Sequence, residues 1–439
     1  VQVPLPAELD RAGLKTAIDA GLKRFSTGML KTTALYTPQN AVGASQFGRP
    51  GADNTFQLLH RFIEQEHRVV PVDLGNGQVD PEADILVVAA PADLKEEQLF
   101  AIDQFLMQGG TVVLATSPYN VGLEGQLDLN QAHSGLEDWL AGYGIRFEET
   151  LVLDPQNAAF PVPVERQAGG YTVQETHLLN YPYFIDIRPD GMHRDSGLLT
   201  GIDQLSLTWA SPLVVDADKN KGRQVVRLLE SSPGSWVSDS LTIQPDFERY
   251  GEAGFATGTD TGRHLLAVLV EGRFDSGFRG KASPLIEAAR RQHAERDKEA
   301  AGVTNAAADP DGKNPEEVIG KVLERSPESA RIILLASNTF LTDTSLELAS
   351  GASGSRYLNP LQLVANCIDW SLADRDLLSI RGRGHFARTL VPMGREVRAF
   401  WEYLNYGLAA AGLLAVWGVH RLVLARSRRR ERLLVSGEV

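Results

Sequence analysis

Cysteine is nearly missing from this chain. Cys367 is its single thiol, which excludes an intrachain disulfide and any cysteine-rich metal site. Basic residues are scarce relative to acidic ones, with 43 Lys and Arg against 56 Asp and Glu and a formal net charge of -13. Because phosphate backbones are bound chiefly by Lys and Arg, nucleic acid is set aside as a partner class. No G-x-x-x-x-G-K-[ST] loop occurs in the 439 residues. Without that cradle for nucleotide phosphates, ATP hydrolysis is expected to belong to another chain. The nine histidines lack the His-x-x-x-His spacing that puts two ligands on one helix face, so neither a metal site nor a cofactor is expected. Nothing near Val1 reads as a charged start, an apolar core and a small-residue cleavage site, and the natural N-terminus is expected upstream of it.

One uncharged run, close to the C-terminus, is apolar almost throughout. Tyr403 to Val419 carries no charge, and Leu422 to Ala425 extends the run past His420 and Arg421. A membrane helix needs about 20 apolar residues, and an arginine near its end can snorkel, so the segment can span. Phe400, Trp401, Tyr403 and Tyr406 gather at one end, as aromatic residues do at a bilayer interface. Arg421, Arg426, Arg428, Arg429, Arg430 and Arg432 crowd the other. The positive-inside rule then places the C-terminus in the cytoplasm of a bacterial cell, with the bulk of the chain extracytoplasmic or periplasmic, where there is no ATP pool. A buried helix with a solvated basic tail is the alternative reading.

The remaining pattern is α/β. Glu8 to Phe25 has helical apolar spacing, and Lys31 to Tyr36 reads as a strand. Phe56, Leu59, Phe62 and Ile63 mark a helix face, and Val69 to Leu74 a second strand. The apolar run Asp84 to Ala89 leads into a helix that Asp93 and Glu96 start at capping-box spacing. Leu99, Ile102, Phe105 and Leu106 form its inward stripe, and Gly109 and Gly110 stop it before the strand Thr111 to Thr116. Leu136 to Tyr143 is a further helix and Ile145 to Leu153 a strand. From Phe160 to Trp236 short β-like runs broken by Pro and Gly suggest an antiparallel extension. His264 to Val270 and Arg331 to Ala336 are apolar strands, and Leu361 to Leu372 is a helix. The expected organisation is an N-terminal helical connector over 1–28, an α/β domain over 29–274 completed by 331–380, an exposed charged insertion over 275–330, a juxtamembrane segment over 381–400, a transmembrane helix over 401–425 and a basic cytoplasmic tail over 426–439.

The run Asp84-Ile-Leu-Val-Val-Ala-Ala-Pro-Ala-Asp-Leu, followed by Gln104-Phe-Leu-Met-Gln-Gly-Gly-Thr-Val-Val-Leu-Ala, resembles the auxiliary-component family of ABC-type transport systems linked to gliding motility. Thr208-Trp-Ala-Ser-Pro-Leu, Ser232 to Trp236, Asn366-Cys-Ile-Asp-Trp and Ile380-Arg-Gly-Arg resemble its later blocks. The resemblance implies a glutamine-amidotransferase-like, flavodoxin-like core, also found in a domain of intraflagellar transport proteins. The implied partners are an ABC permease, a separate ATPase subunit and the membrane. Members of the family usually carry an N-terminal membrane helix and an extra α/β domain, neither of which stands ahead of Glu8 in this sequence.

Likeness of fold is not likeness of activity. An amidotransferase needs a nucleophilic cysteine on a sharp turn after a strand, whereas Cys367 sits inside a predicted helix and reads as a structural residue. Ser117 does follow a strand, but Thr116-Ser-Pro-Tyr has no glycines for a nucleophile elbow. In open parallel sheets ligands gather beyond the carboxyl ends of the strands. Here those ends bring Thr37, Pro91, Thr116, Ser117, Tyr119, Ser337 and Asn338 forward as a candidate ligand crevice. Gly407, Ala411 and Gly412 offer small-residue surfaces for packing of the membrane helix. The reading that results is a non-catalytic interaction subunit. A substrate-binding protein for a saccharide, lipid or peptide is the second reading, and a hydrolase using a carboxylate pair, with Asp154, Asp186 and Asp239 as candidates, is the third.

Overall fold

A computed structural model describes residues 31–38, 55–122, 127–168, 171–251, 254–286, 322–353, 356–372 and 395–435. The helix expected over Glu8 to Phe25, the interior of the charged insertion, the Ile380-Arg-Gly-Arg block and the end of the basic tail lie outside these residues. The chain divides into two compact units, Val1–His385 and Phe386–Val439.

The first unit is built on strands whose sequences are apolar throughout. In β1 (Thr32–Tyr36), β3 (Ile85–Ala89) and β4 (Thr111–Ala115) every residue is buried, as expected of strands covered on both faces. With β2 (Arg68–Pro71), β13 (Gln224–Glu230), β15 (Leu265–Glu271) and β16 (Arg331–Leu335) they form a seven-stranded sheet in the order β13-β15-β16-β4-β3-β1-β2. Neighbours from β16 to β2 pair in parallel, and β15 alone runs against the rest. The expected α/β class with a mostly parallel sheet is thus present. Val69 to Leu74 is a shorter strand than expected, because it ends at Pro71 and Leu74 turns to φ 60°.

Helices cover both faces. On one, α1 (Gln57–Glu64) buries Leu59 and Ile63 in a cluster with Cys367, Ile368 and the strand residues Val87, Val113 and Ile333. On the other, α2 (Glu96–Met107) packs Ile102 and Leu106 against Leu86, Val112 and Leu334. The start of α2 differs from expectation. Asp93 and Leu94 donate their N–H groups to the carbonyls of His133 and Ser134, and Asp93 sits at φ 46°. The helix therefore begins at Glu96, where the Gln98 side chain accepts the Lys95 N–H at 3.0 Å. A Ser134–Glu137 pair makes related bonds one helix later, before α3 (Glu137–Gly142). There Glu137 accepts the Ser134 N–H at 2.7 Å and the Ser134 hydroxyl accepts the Leu136 N–H at 3.0 Å. Gly109 ends α2 as expected, at φ 93°, where a Cβ would lie 2.7 Å from Pro327.

The antiparallel extension follows. After the small hairpin of β5 (Tyr119–Gly122) and β6 (Asp128–Gln131), the stretch expected as one strand is two. β7 (Ile145–Phe147) pairs with β12 (Leu213–Val215), and β8 (Leu151–Leu153) with β14 (Trp236–Ser238). A long hairpin of β9 (Asn157–Ala168) and β10 (Tyr171–Ile187) carries β11 (Leu205–Thr208) only at its base, over Phe184–Ile187. An aromatic cluster of Tyr181, Tyr183, Phe184, Trp209, Trp236 and Phe255 fills the space beneath. A single helical turn, α4 (Phe247–Tyr250), closes this region.

The ends of the segment expected as an exposed insertion are packed. Phe274 and Phe278 are buried, as are Ser276, Ser283 and Ser326, and they cover the outer side of α2. That is why α2 buries Phe100, Asp103 and Gln104 as well as its inward stripe. After β16, α5 (Asp343–Ser353) and α6 (Asn359–Leu372) complete the unit. In the second unit α7 (Arg395–Val435) contains Phe400–Leu424, a stretch long and apolar enough to cross a membrane, with mean hydropathy 1.6 and none of it buried.

Candidate functional site

Register fixes where the parallel strands end. Tyr36 lies level with Val88, Ala89 with Ala115, and Leu335 with Ala115. The loops that leave β4, β11 and β16 therefore emerge side by side, and their short polar side chains meet. Asn338 accepts the Ser117 N–H through Oδ1 at 3.2 Å and donates through Nδ2 to the carbonyls of Ser117 at 2.8 Å and Tyr119 at 2.7 Å. The Ser117 and Ser211 hydroxyls lie 3.2 Å apart. Ser337 donates to the Thr208 carbonyl at 2.6 Å, and the Thr208 and Thr339 hydroxyls are 2.8 Å apart. All of these residues are buried, none more than 6% exposed.

The crevice expected from topology is thus bridged by its own side chains. Ser117, Asn338, Ser337 and Tyr119 are brought together. Thr116 and Pro91 are buried beside the neighbouring strand ends, and the Ala90 N–H reaches across to the Ala115 carbonyl at 2.8 Å. Thr37 is apart from them, on a cleft that it lines with Pro38, Thr55, Phe56, His60 and Arg61. Tyr119 turns its hydroxyl away to the Glu149 carbonyl at 2.7 Å, and burial raises its pKa, with Glu149 and Asp239 adding to the rise. The Ser211 and Thr208 contributions were not legible in the sequence. They come from the Thr208-Trp-Ala-Ser-Pro stretch, which Trp209 turns sharply at φ 44° while its N–H bonds the Tyr183 carbonyl at 3.0 Å.

Two of the three candidate carboxylates lie deep. Asp154 is fully buried and accepts the Ser232 N–H at 2.7 Å, the Ser232 hydroxyl at 2.6 Å and the Gln156 N–H at 2.8 Å. Burial raises its pKa, against the pull of those bonds and of Arg263. Asp186, 4% exposed, is paired with Arg188 at 2.6 Å; burial raises its pKa too, and the charge of Asp154 adds to that. Asp239 is exposed and stands outside this pair. Cys367 is fully buried in α6, and burial pushes its thiol up to about 12, so it has none of the thiolate character a nucleophile needs.

Spacing along the sequence also missed a cluster at the other end of the sheet. Glu66 and His67, just before β2, meet Asp369 of α6, with ligand atoms all within 4.8 Å of one another. His67 Nε2 lies 3.3 Å from Asp369 Oδ1, a mostly buried pair that ties α6 to the start of β2.

Residues 32–367 match the family described as ABC-type uncharacterized transport system, auxiliary component. The chain belongs to that family. A curated relative of this auxiliary component, an uncharacterized protein of Borreliella burgdorferi (strain ATCC 35210 / DSM 4680 / CIP 102532 / B31), is 22% identical over 201 residues; the match spans 45% of this chain and 37% of the relative. Among solved structures, the mmIFT52 N-terminal domain aligns over 78% of this chain and 98% of its own, with 9% identity and a TM-score of 0.37. A putative thua-like protein from Bacteroides uniformis ATCC 8492 aligns over 78% and 91%, with 10% identity and a TM-score of 0.34. These two likenesses are too distant to carry an argument about this chain.

Proposed function

We propose that this auxiliary component is a membrane-anchored, non-catalytic subunit that couples an ABC permease and its separate ATPase to an extracytoplasmic partner or cargo, in a transport or gliding-motility system. The observation that carries this reading is the exposed apolar stretch Phe400–Leu424, attached to an α/β unit of an ABC transport family. The arginines beyond Leu424 favour a cytoplasmic C-terminus and an extracytoplasmic α/β unit. Its mostly parallel sheet is consistent with a glutamine-amidotransferase-like ancestry.

The strand-end loops support a non-catalytic role. In an enzyme of this architecture they frame an open crevice, whereas here Ser117, Ser211, Ser337, Asn338 and Thr339 bond one another. Asp154 spends its lone pairs on Ser232 and Gln156 and is withdrawn from solvent, which disfavours the carboxylate-pair hydrolase. In this reading the small residues Gly407, Ala411 and Gly412 let α7 pack closely against a permease helix, so that ATP-driven motion reaches the outer unit mechanically.

Detergent extraction of the full chain through an affinity tag, followed by mass spectrometry, tests the proposal. Stoichiometric recovery of a multispan permease together with an ATPase carrying a Walker motif is the expected result. Recovery without either overturns it and returns the substrate-binding reading, for which a saturable rise in melting temperature with a small ligand is the signature.

A further inference from the structure

The hairpin of β9 and β10 reaches well past its third strand. β11 occupies the far edge of β10 only over Phe184–Ile187, and the Asp154 and Trp209 N–H groups bond the carbonyls of Pro182 and Tyr183, so it is from Tyr171 to Leu179 that this edge has no strand beside it among the described residues. An edge of this length is normally blunted by lysine, proline or a covering element. The two edges of the hairpin differ in this respect. On β9, Pro161 and Pro163 pair with Leu178 and Thr176, and α5 comes against the strand, where a Cβ added at Gly351 would lie 3.7 Å from Pro161. Along β10 there is no Lys, no Arg and no Pro before Pro182, and residues 175–178 and Asn180 are exposed, Leu178 at 54%.

The prolines also settle which groups the open edge presents. Proline has no N–H to donate, so Pro161 and Pro163 fit positions whose nitrogen faces away from β10, where the facing residues make no ladder bonds. Their partners Leu178 and Thr176, with Gln174 in the same alternation, then turn N–H and C=O outward to the free edge. Tyr181, of the opposite parity, turns its N–H toward β9 and bonds Asn157 Oδ1 at 3.1 Å.

We infer that a second copy of this chain pairs with the first along this edge, β10 antiparallel to β10 about a two-fold axis at Thr176. In that register Thr176 faces its own copy, and the outward backbone groups of Gln174 meet those of Leu178. Glu175 and His177, both exposed and 3.9 Å apart within one chain, each then face the other residue of the second copy. The edge is thereby self-complementary, carboxylate against imidazole, as an isologous interface requires. The product is a continuous sheet of β9, β10 and their two copies, with both outer edges bearing the β9 prolines, so assembly stops at two. The pairing goes beyond the subunit role proposed above and does not depend on it.

Thr176→Cys in the full chain, purified in detergent and mildly oxidised, tests the register directly. The native Cys367 is fully buried, so the new thiol is the reactive one. Facing residues in a hydrogen-bonded antiparallel pair have Cα atoms about 5.5 Å apart, within disulfide reach. Expected is at least tenfold more disulfide-linked dimer than from Lys221→Cys, an equally accessible control (its side chain is 79% exposed) on the turn before β13. Light scattering of Thr176→Pro should give half the protein mass of the wild type. Glu175→Lys should weaken the dimer about fivefold, with recovery in the exchanged pair Glu175→His with His177→Glu. Equal cross-linking of Thr176→Cys and Lys221→Cys, or an unchanged protein mass for Thr176→Pro, overturns the inference. Capture of a different protein's strand by Thr176→Cys does so as well.

Discussion

At the scale of single residues, the site is governed by how short polar side chains are satisfied once buried. Asn338 makes three bonds to the loop after β4, and truncation strands the Ser117 N–H and two carbonyls in a closed environment. Asn338→Ala should lower unfolding free energy by about 2 to 3 kcal/mol, read by chemical denaturation, with recovery of the permease and ATPase unchanged. A fall in partner recovery without loss of stability would point instead to a binding role for this residue. His264 gives a pH signature. Burial lowers its pKa from 6.5, against the charges of Glu148, Asp260 and Asp154, and its Nε2 is buried without a hydrogen-bond partner among the described residues. A lowered folded-state pKa means the unfolded chain binds the extra proton first as pH falls. Stability from this group is therefore complete above about 6.5 and declines as pH falls below it toward the folded-state pKa. Replacing His264 with Gln should flatten the dependence of melting temperature on pH between about 5 and 7.

At the scale of elements, α2 is locked from outside by a carboxylate that periodicity assigns no role. Asp103 is fully buried and accepts from Ser276 Oγ at 2.6 Å, Trp139 Nε1 at 2.9 Å, the Gly277 N–H at 2.9 Å, Gln104 Nε2 at 3.0 Å and the Tyr143 hydroxyl at 3.3 Å. One side chain thus joins α2, α3 and the strap that follows β15. Asp103→Ala leaves those donors unpaired and should cost about 3 kcal/mol or more. Hydrogen exchange should show the strap over 274–286 losing protection while β3 and β4 keep theirs; uniform loss across the sheet would show that Asp103 supports the whole core rather than the strap.

At the scale of the whole molecule, the two units differ in the surface they present. α7 supplies an apolar stretch of membrane length, and Leu413 and Leu414 within it are 73% and 68% exposed. A charge at the centre of a spanning helix costs about 2.5 to 3.5 kcal/mol on insertion scales. Leu413→Arg should shift the chain from the carbonate-resistant membrane fraction toward the soluble fraction, while the α/β unit keeps its melting transition. Unchanged membrane retention would mean that the anchor lies elsewhere.

Much of this was written in the sequence. Apolar runs such as Ile85–Ala89 and Thr111–Ala115 can be satisfied only by burial on both faces, and the helices spaced between them dictate a largely parallel sheet. The uncharged stretch before the C-terminal arginines marks a helix long and apolar enough to cross a membrane. What the sequence could not decide depends on contacts between distant positions. Asp93 looks like a helix cap until the His133 carbonyl takes its N–H. Ser117 and Asn338 stand 221 residues apart, and only the strand order brings their loops together and turns a predicted crevice into a closed polar contact. Local pattern records which surfaces must leave water. Which polar groups then find one another is settled by topology, because a buried hydrogen bond is judged by distance in space and not along the chain.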